Sequence, residues 1–356
     1  MHGLRLSISL AVLSLVACDR REAPVITAEP VATVAPRSPE RPEAPVARQG
    51  AGPEQGLPPA PNGVLPKGAA DKILPVGGKP VVKLIEAGAE PRSDLSYAFV
   101  KGNSQKMVMA MDMSMGMKMQ GQTLPATSLP RMTMGMDAAT IDKSAAGEFK
   151  IDSHLTTVSV DPNGGQQEQM ARALRPHLEA MKGLSMAYWV SPKGHVHDVK
   201  IGSPPGMPPA AQQLLNGMSQ SFESMVTPLP AQPVGVGARW QVLSRTATGG
   251  ADLLQSAIYT LKSRSGARAT LEVKLVQLAA GDTIVGPQMP AGMSAKIKSF
   301  NSGGSGSTQV DLKSVAPEGG TMTLRSSMDI AVQGGGPGTG DESTVETITT
   351  VTITRP

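Results

Sequence analysis

A single cysteine, Cys18, stands in the 356 residues, so no intramolecular disulfide can hold this chain together. Aromatic side chains are also scarce, at 3%, and a core must be built from Met, Leu, Val and Ile, which makes a softer interior than one packed with rings. No apolar run is long enough to span a bilayer as a mature helix; the one near the N-terminus, from Leu6 to Ala17, is too short. Acidic and basic residues nearly balance, and the basic ones are scattered without interleaved aromatics, which argues against nucleic acid as a partner. The usual catalytic motifs are missing: there is no His-Glu-x-x-His, no Gly-x-Ser-x-Gly and no Ser-x-x-Lys. The expectation is a protein that is not an enzyme and needs no cofactor, with a hydrolase of dispersed residues as an alternative.

What the first residues do carry is an export signal: a basic residue, Arg5, followed by the short apolar run. It ends in Leu15-Val16-Ala17-Cys18, which resembles a bacterial lipobox, and the only cysteine of the chain stands at the lipidation position. Residues 1–17 are thus expected to be a lipoprotein signal peptide, and Cys18 the lipidated residue. Acyl chains buried at about 0.8 kcal/mol per methylene would anchor the mature protein without a transmembrane helix. The implied place is the bacterial cell envelope, on the outer membrane or the periplasmic face of a membrane. Between Pro24 and Pro80 lie 13 of the 31 prolines, and residues 18–80 are expected to form a disordered, extended tether.

The most distinctive stretch is Met107, Met109, Met111, Met113, Met115, Met117 and Met119, with methionine at every second position. In a strand this period puts all seven thioethers on one face, whereas a helix would spread them all round. Met132, Met134 and Met136 repeat the spacing, as a neighbouring strand with a second methionine row would. So long a strand requires a curled sheet, and Gly116 is a candidate bulge or bend. Three uses are open for such a surface: packed core, an apolar cavity that adapts to a small molecule or lipid, and soft-metal binding of Cu(I) or Ag(I) by thioethers. His195 and His197, a His-x-His pair, are the candidate imidazole ligands for the metal reading.

Residues 81–356 alternate apolar and polar side chains between turn signals, predicting one β-rich domain with a candidate sub-boundary near 228–235. Strands are expected at 81–86, 95–100, 148–160, 184–190, 195–201, 240–246, 253–263, 267–278, 308–315, 321–332 and 343–354. Residues 281–307 read as loop, with the Gly/Ser run 301–307 flexible. Helices are expected at 166–182, kinked or divided by Pro176, and at 208–226. The fold class is mainly β (α+β): a curled antiparallel sheet or half-barrel with two helices packed on its concave face. The methionine-alternating strand pair, the turn Val190-Ser191-Pro192-Lys193-Gly194, and Leu229-Pro230 before Val236-Gly237-Ala238-Arg239-Trp240 resemble an uncharacterised family of secreted bacterial β-rich proteins. That resemblance implies export and carries no functional residue with it. The expected architecture is more loosely similar to the lipoprotein-carrier fold, whose members hold acyl chains.

Overall fold

Strict two-residue alternation, propagated from strand to strand, organises the computed structural model, which describes residues 56–119, 122–204, 206–207, 226–248, 250–284, 294–334 and 342–356. In chain order the strands are β1 (Val81–Glu86), β2 (Ser104–Met119), β3 (Gln122–Ser128), β4 (Arg131–Lys143), β5 (Phe149–Asp161), β6 (Ser185–Val190) and β7 (Val196–Gly202). They continue with β8 (Arg239–Thr248), β9 (Ala251–Ser265), β10 (Arg268–Ala279), β11 (Thr283–Ile284), β12 (Ser294–Asp311), β13 (Gly319–Gln333) and β14 (Glu342–Thr354). All belong to one open antiparallel sheet of order β1-β8-β9-β10-β12-β13-β14-β2-β4-β5-β6-β7, with β11 beside β12 and β3 beside β2. Two helices are described, α1 (Ala69–Ile73) and α2 (Gly165–Glu179).

Register follows one face across ten strands: Leu84, Trp240, Tyr259, Val273, Gly306, Met322, Val351, Met111, Met132 and Val160 are successive partners. This face is concave, because one buried cluster joins Ile151 and Tyr188 at one end of the sheet to Trp240, Leu261 and Leu271 at the other. Only a sheet curled toward the methionine side lets those residues meet. Ala171, Leu178 and Met181, in and just after α2, belong to the same cluster, so this helix covers the concave face as expected. It continues through Pro176 to Glu179 undivided. The second expected helix, at 208–226, lies outside the described residues except for Val226, which is buried in the same core.

The Gly/Ser run expected to be flexible is the middle of β12, fully paired on both sides. A Cβ on Gly306 would stand 2.2 Å from the Thr321 carbonyl oxygen, one on Gly304 2.5 Å from that of Thr323, and one on Gly320 2.7 Å from that of Ser307. Glycine is needed here because the curl brings neighbouring backbones too close for any inward side chain. Gly116 is different. The β2–β14 register runs through it without a break, and the irregularity lies against β3, between Met115 and Met117.

Several other expectations need correction. Residues 95–100 form no strand; Leu95, Tyr97 and Phe99 are buried, and the backbone there bonds to Pro192 and Leu312 as a strap across one end of the curl. In β5 the register shifts at Thr156, so Leu155 and Val160 are both buried while Thr157 is exposed; one extra residue reverses the faces of a strand. The tether does not extend to residue 80. Leu57, Leu65, Ala70 and Leu74 pack on Leu254, Val276 and Leu278 of the convex face. Arg245, with a side chain only 6% exposed, fixes this segment by bonding the Leu74 carbonyl at 2.8 Å and both oxygens of Asp252 at 2.6 Å, with Asp71 3.2 Å away. Nor is there a boundary near 228–235: Leu229 and Val234 are buried in the common core, and Trp240 donates its indole N–H to the Pro228 carbonyl.

Gly306→Ala should lower unfolding stability by about 1–3 kcal/mol, the usual cost of overpacking, while Gly116→Ala, whose Cβ would meet nothing nearer than 3.8 Å, should be neutral or stabilising by under about 1 kcal/mol. Denaturant midpoints of the two variants check this contrast.

Candidate functional site: the concave trough

The seven methionines of β2 do share one face, and the two rows meet in register as Met107–Met136, Met109–Met134 and Met111–Met132. Their environments differ along the strand. Met107, Met134 and Met136 are buried in the main core with α2, and Met109 and Met132 pack against it. Met115 and Met117 pack against a second cluster, built on Phe300, Ile330 and Val345. Met111, Met113 and Met119 are half-buried and belong to neither. Along the row only Met107 is fully shielded from water, and the middle of the row is a half-buried apolar floor.

The lines of register partners that flank this floor are uncharged. One runs Val82, Val242, Ala257, Leu275, Gly304, Leu324, Thr349, Met113; the next runs Ser244, Gln255, Gln277, Ser302, Ser326, Thr347, Met115. Lys83, Lys274 and Asp112 stand in the line between those of Met111 and Met113, on the convex face. Strand alternation has thus sorted charge to one side of the sheet. The second line is polar but internally satisfied over most of its length: Ser302 donates to Gln277 at 2.7 Å, Gln277 donates to Gln255 at 2.9 Å, and Ser326 pairs with Thr347 at 2.7 Å. Hydrogen bonding of this kind is what allows polar groups in an apolar wall.

At the end closed by the strap lies a cavity of about 190 Å³, walled by Tyr97, Tyr259, Val273, Met322 and Val351 among others. Val351 is the register partner of Met111, so the cavity borders the floor at that pair. Tyr259 stacks on the fully buried Trp240, with centroids 5.7 Å apart and planes 12° from parallel. Tyr97 donates to the Thr227 carbonyl at 3.1 Å. Sequence reading missed both tyrosines and the Gln255–Gln277–Ser302 chain. The available signal was a glutamine or tyrosine at an inward position of otherwise apolar alternation, as in Leu253, Gln255, Ala257, Tyr259.

His195 and His197 do not join the methionines. The imidazole of His197 lies between Glu148 and Asp198, 3.1 Å from each, and the strand that carries it is three ladder steps from β4, or about 14 Å. His195 keeps Nδ1 buried without a hydrogen-bond partner, and burial lowers its pKa, favouring the neutral ring. Among the described residues no group of three or more His, Cys, Asp and Glu converges as a metal site. No helix among them is long and apolar enough to cross a membrane. No protein-family model matches the chain, and no curated protein is similar to it.

All three tyrosines of the chain are harder to ionise than free phenol. Burial raises Tyr97 and pushes Tyr188 and Tyr259 up to about 12. Because the folded values exceed the unfolded value near 10, the stability they lend is complete below pH 10 and falls as pH rises toward 12. Tyrosinate absorbance should therefore stay flat through pH 10–11 while the protein is folded, and denaturant midpoints should drop over the same interval.

Proposed function

We propose that this is a lipid-anchored protein of the bacterial cell envelope that acts as a binding module rather than a catalyst. It holds an uncharged apolar ligand, of the acyl-chain kind, along its methionine-lined concave face. The observation that carries the reading is the sorting of charge: successive register lines over the inner face hold no ionised side chain, and Met111 and Met113 on that face remain half-open. An exposed apolar surface with no water-seeking group has a favourable free energy of covering, at roughly 25 cal/mol per Å². Methionine suits such a surface because its flexible, polarisable side chain adapts to ligands of different shape. The anchor is supported by the lipobox-like Leu15-Val16-Ala17-Cys18.

A metal-binding reading draws on the in-register thioether pairs, since soft sulfur ligands select Cu(I). Two of the three pairs contain buried core residues, which leaves Met111–Met132 as the pair best able to reach an ion.

Two measurements test the main reading. The apolar fluorophore N-phenyl-1-naphthylamine should bind saturably to the wild-type protein. The double substitution Met111→Lys/Met113→Lys should weaken it at least about tenfold, or about 1.4 kcal/mol, with little change in melting temperature. Absence of saturable binding to the wild type would remove the proposal. For the anchor, growth on an alkyne-tagged fatty acid should label the wild-type chain and leave Cys18→Ser unlabelled; label that persists on the variant excludes Cys18 as the acylated residue.

A further inference from the structure

The cavity at the strapped end of the trough is walled by apolar side chains and hydroxyls, with the Tyr259 phenol among them. Tyr259 lies deep in the protein, yet its ring is not sealed and forms part of the cavity wall. Among the described residues its hydroxyl has no hydrogen-bond partner, whereas the neighbouring Tyr97 already spends its proton on Thr227. Stacking on Trp240, which is pinned through Pro228, fixes the position of the Tyr259 ring. The walls include no Lys, Arg or His, and their single carboxylate, Asp311, accepts from the Lys313 N–H at 2.9 Å and the Ser314 hydroxyl at 3.0 Å. An anion placed here would meet the Asp311 carboxylate and no cation among the lining residues. A neutral acceptor would instead satisfy the idle phenol.

We infer that this cavity receives the uncharged, oxygen-bearing end of a single-chain amphiphile, with a hydroxyl, ester or amide accepting from Tyr259 and the hydrocarbon lying along Met111–Met119. The inference rests on the binding role proposed above and adds a head-group class to it. The dimensions agree: 190 Å³ takes about six water-sized groups, and Met111 to Met119 offers about 27 Å of floor. Discrimination comes from desolvation, since a carboxylate would lose its water without gaining a cation, while a glycerol or amide head loses less and gains a bond.

Affinities of the full-length protein for monooleoylglycerol, oleate, an oleyl trimethylammonium salt and N-phenyl-1-naphthylamine, measured at neutral pH, test this. The wild type should prefer monooleoylglycerol over oleate and over the ammonium compound by at least tenfold. Tyr259→Phe should lose five- to tenfold for monooleoylglycerol and stay within twofold for the fluorophore. Asp311→Asn should narrow the preference over oleate at least threefold, and it decides the matter if Tyr259→Phe does not fold. Fluorophore binding with equal lipid affinities, a preference for oleate or the ammonium compound, or an unaffected folded Tyr259→Phe would overturn the head-group assignment and leave the general binding role standing. Failure of the wild type to bind any of the four compounds would sink both.

Discussion

Everything in this molecule depends on how tightly its sheet bends. Among the described residues a sheet of this width with one apolar face has no second sheet to lie against and few rings to fill space, so it buries that face by folding toward itself. The bend is possible because Gly304, Gly306 and Gly320 stand where the backbones of β12 and β13 come closest. Without side chains there, carbonyls of one strand can approach the Cα atoms of the next. The ends of the sheet then share a core, in which the ring contacts of Tyr97, Phe99 and Phe149 supply what aromatic packing the composition allows.

Bending also accounts for the uneven fate of the methionines. Where the curl is closed by α2 and the strap, thioethers are packed; where it is open, the same residues line a floor. Met107 and Met113 are three alternations apart on a single strand and are chemically identical, yet one is core and the other only half-buried. The difference lies in what crosses over them, which is a property of distant chain segments. A curled, open sheet therefore produces a graded groove from a uniform sequence.

Much of this was legible from periodicity. Period two in β2, β4, β8, β9, β10, β13 and β14 gave strands, faces and antiparallel order, because alternation is enforced by backbone geometry whatever the neighbours. The failures occurred where a tertiary contact outweighs local preference. Glycine and serine at 301–307 look like a flexible loop in isolation, and only the closeness of β10 and β13 makes them a strand. The Pro-rich segment before residue 80 looks unable to support a core, and by itself it is; Leu57, Leu65 and Leu74 find an apolar surface already built by β9 and β10. The trough could be anticipated from the methionines alone, but its closed end could not, since Tyr97 and Tyr259 are 162 positions apart and meet through the strap.

The way Arg245 grips the segment from Leu57 to Leu74 has a mechanical consequence. Force reaching the domain from its N-terminal side arrives at Leu57 and travels along the outside of the sheet, so it would peel that segment off one contact at a time instead of shearing strand ladders. The guanidinium, bonded to the Leu74 carbonyl and Asp252, sits at the far end of that path and acts as a stop. A pull from that side would thus load the back of the molecule before the ladders that shape the groove.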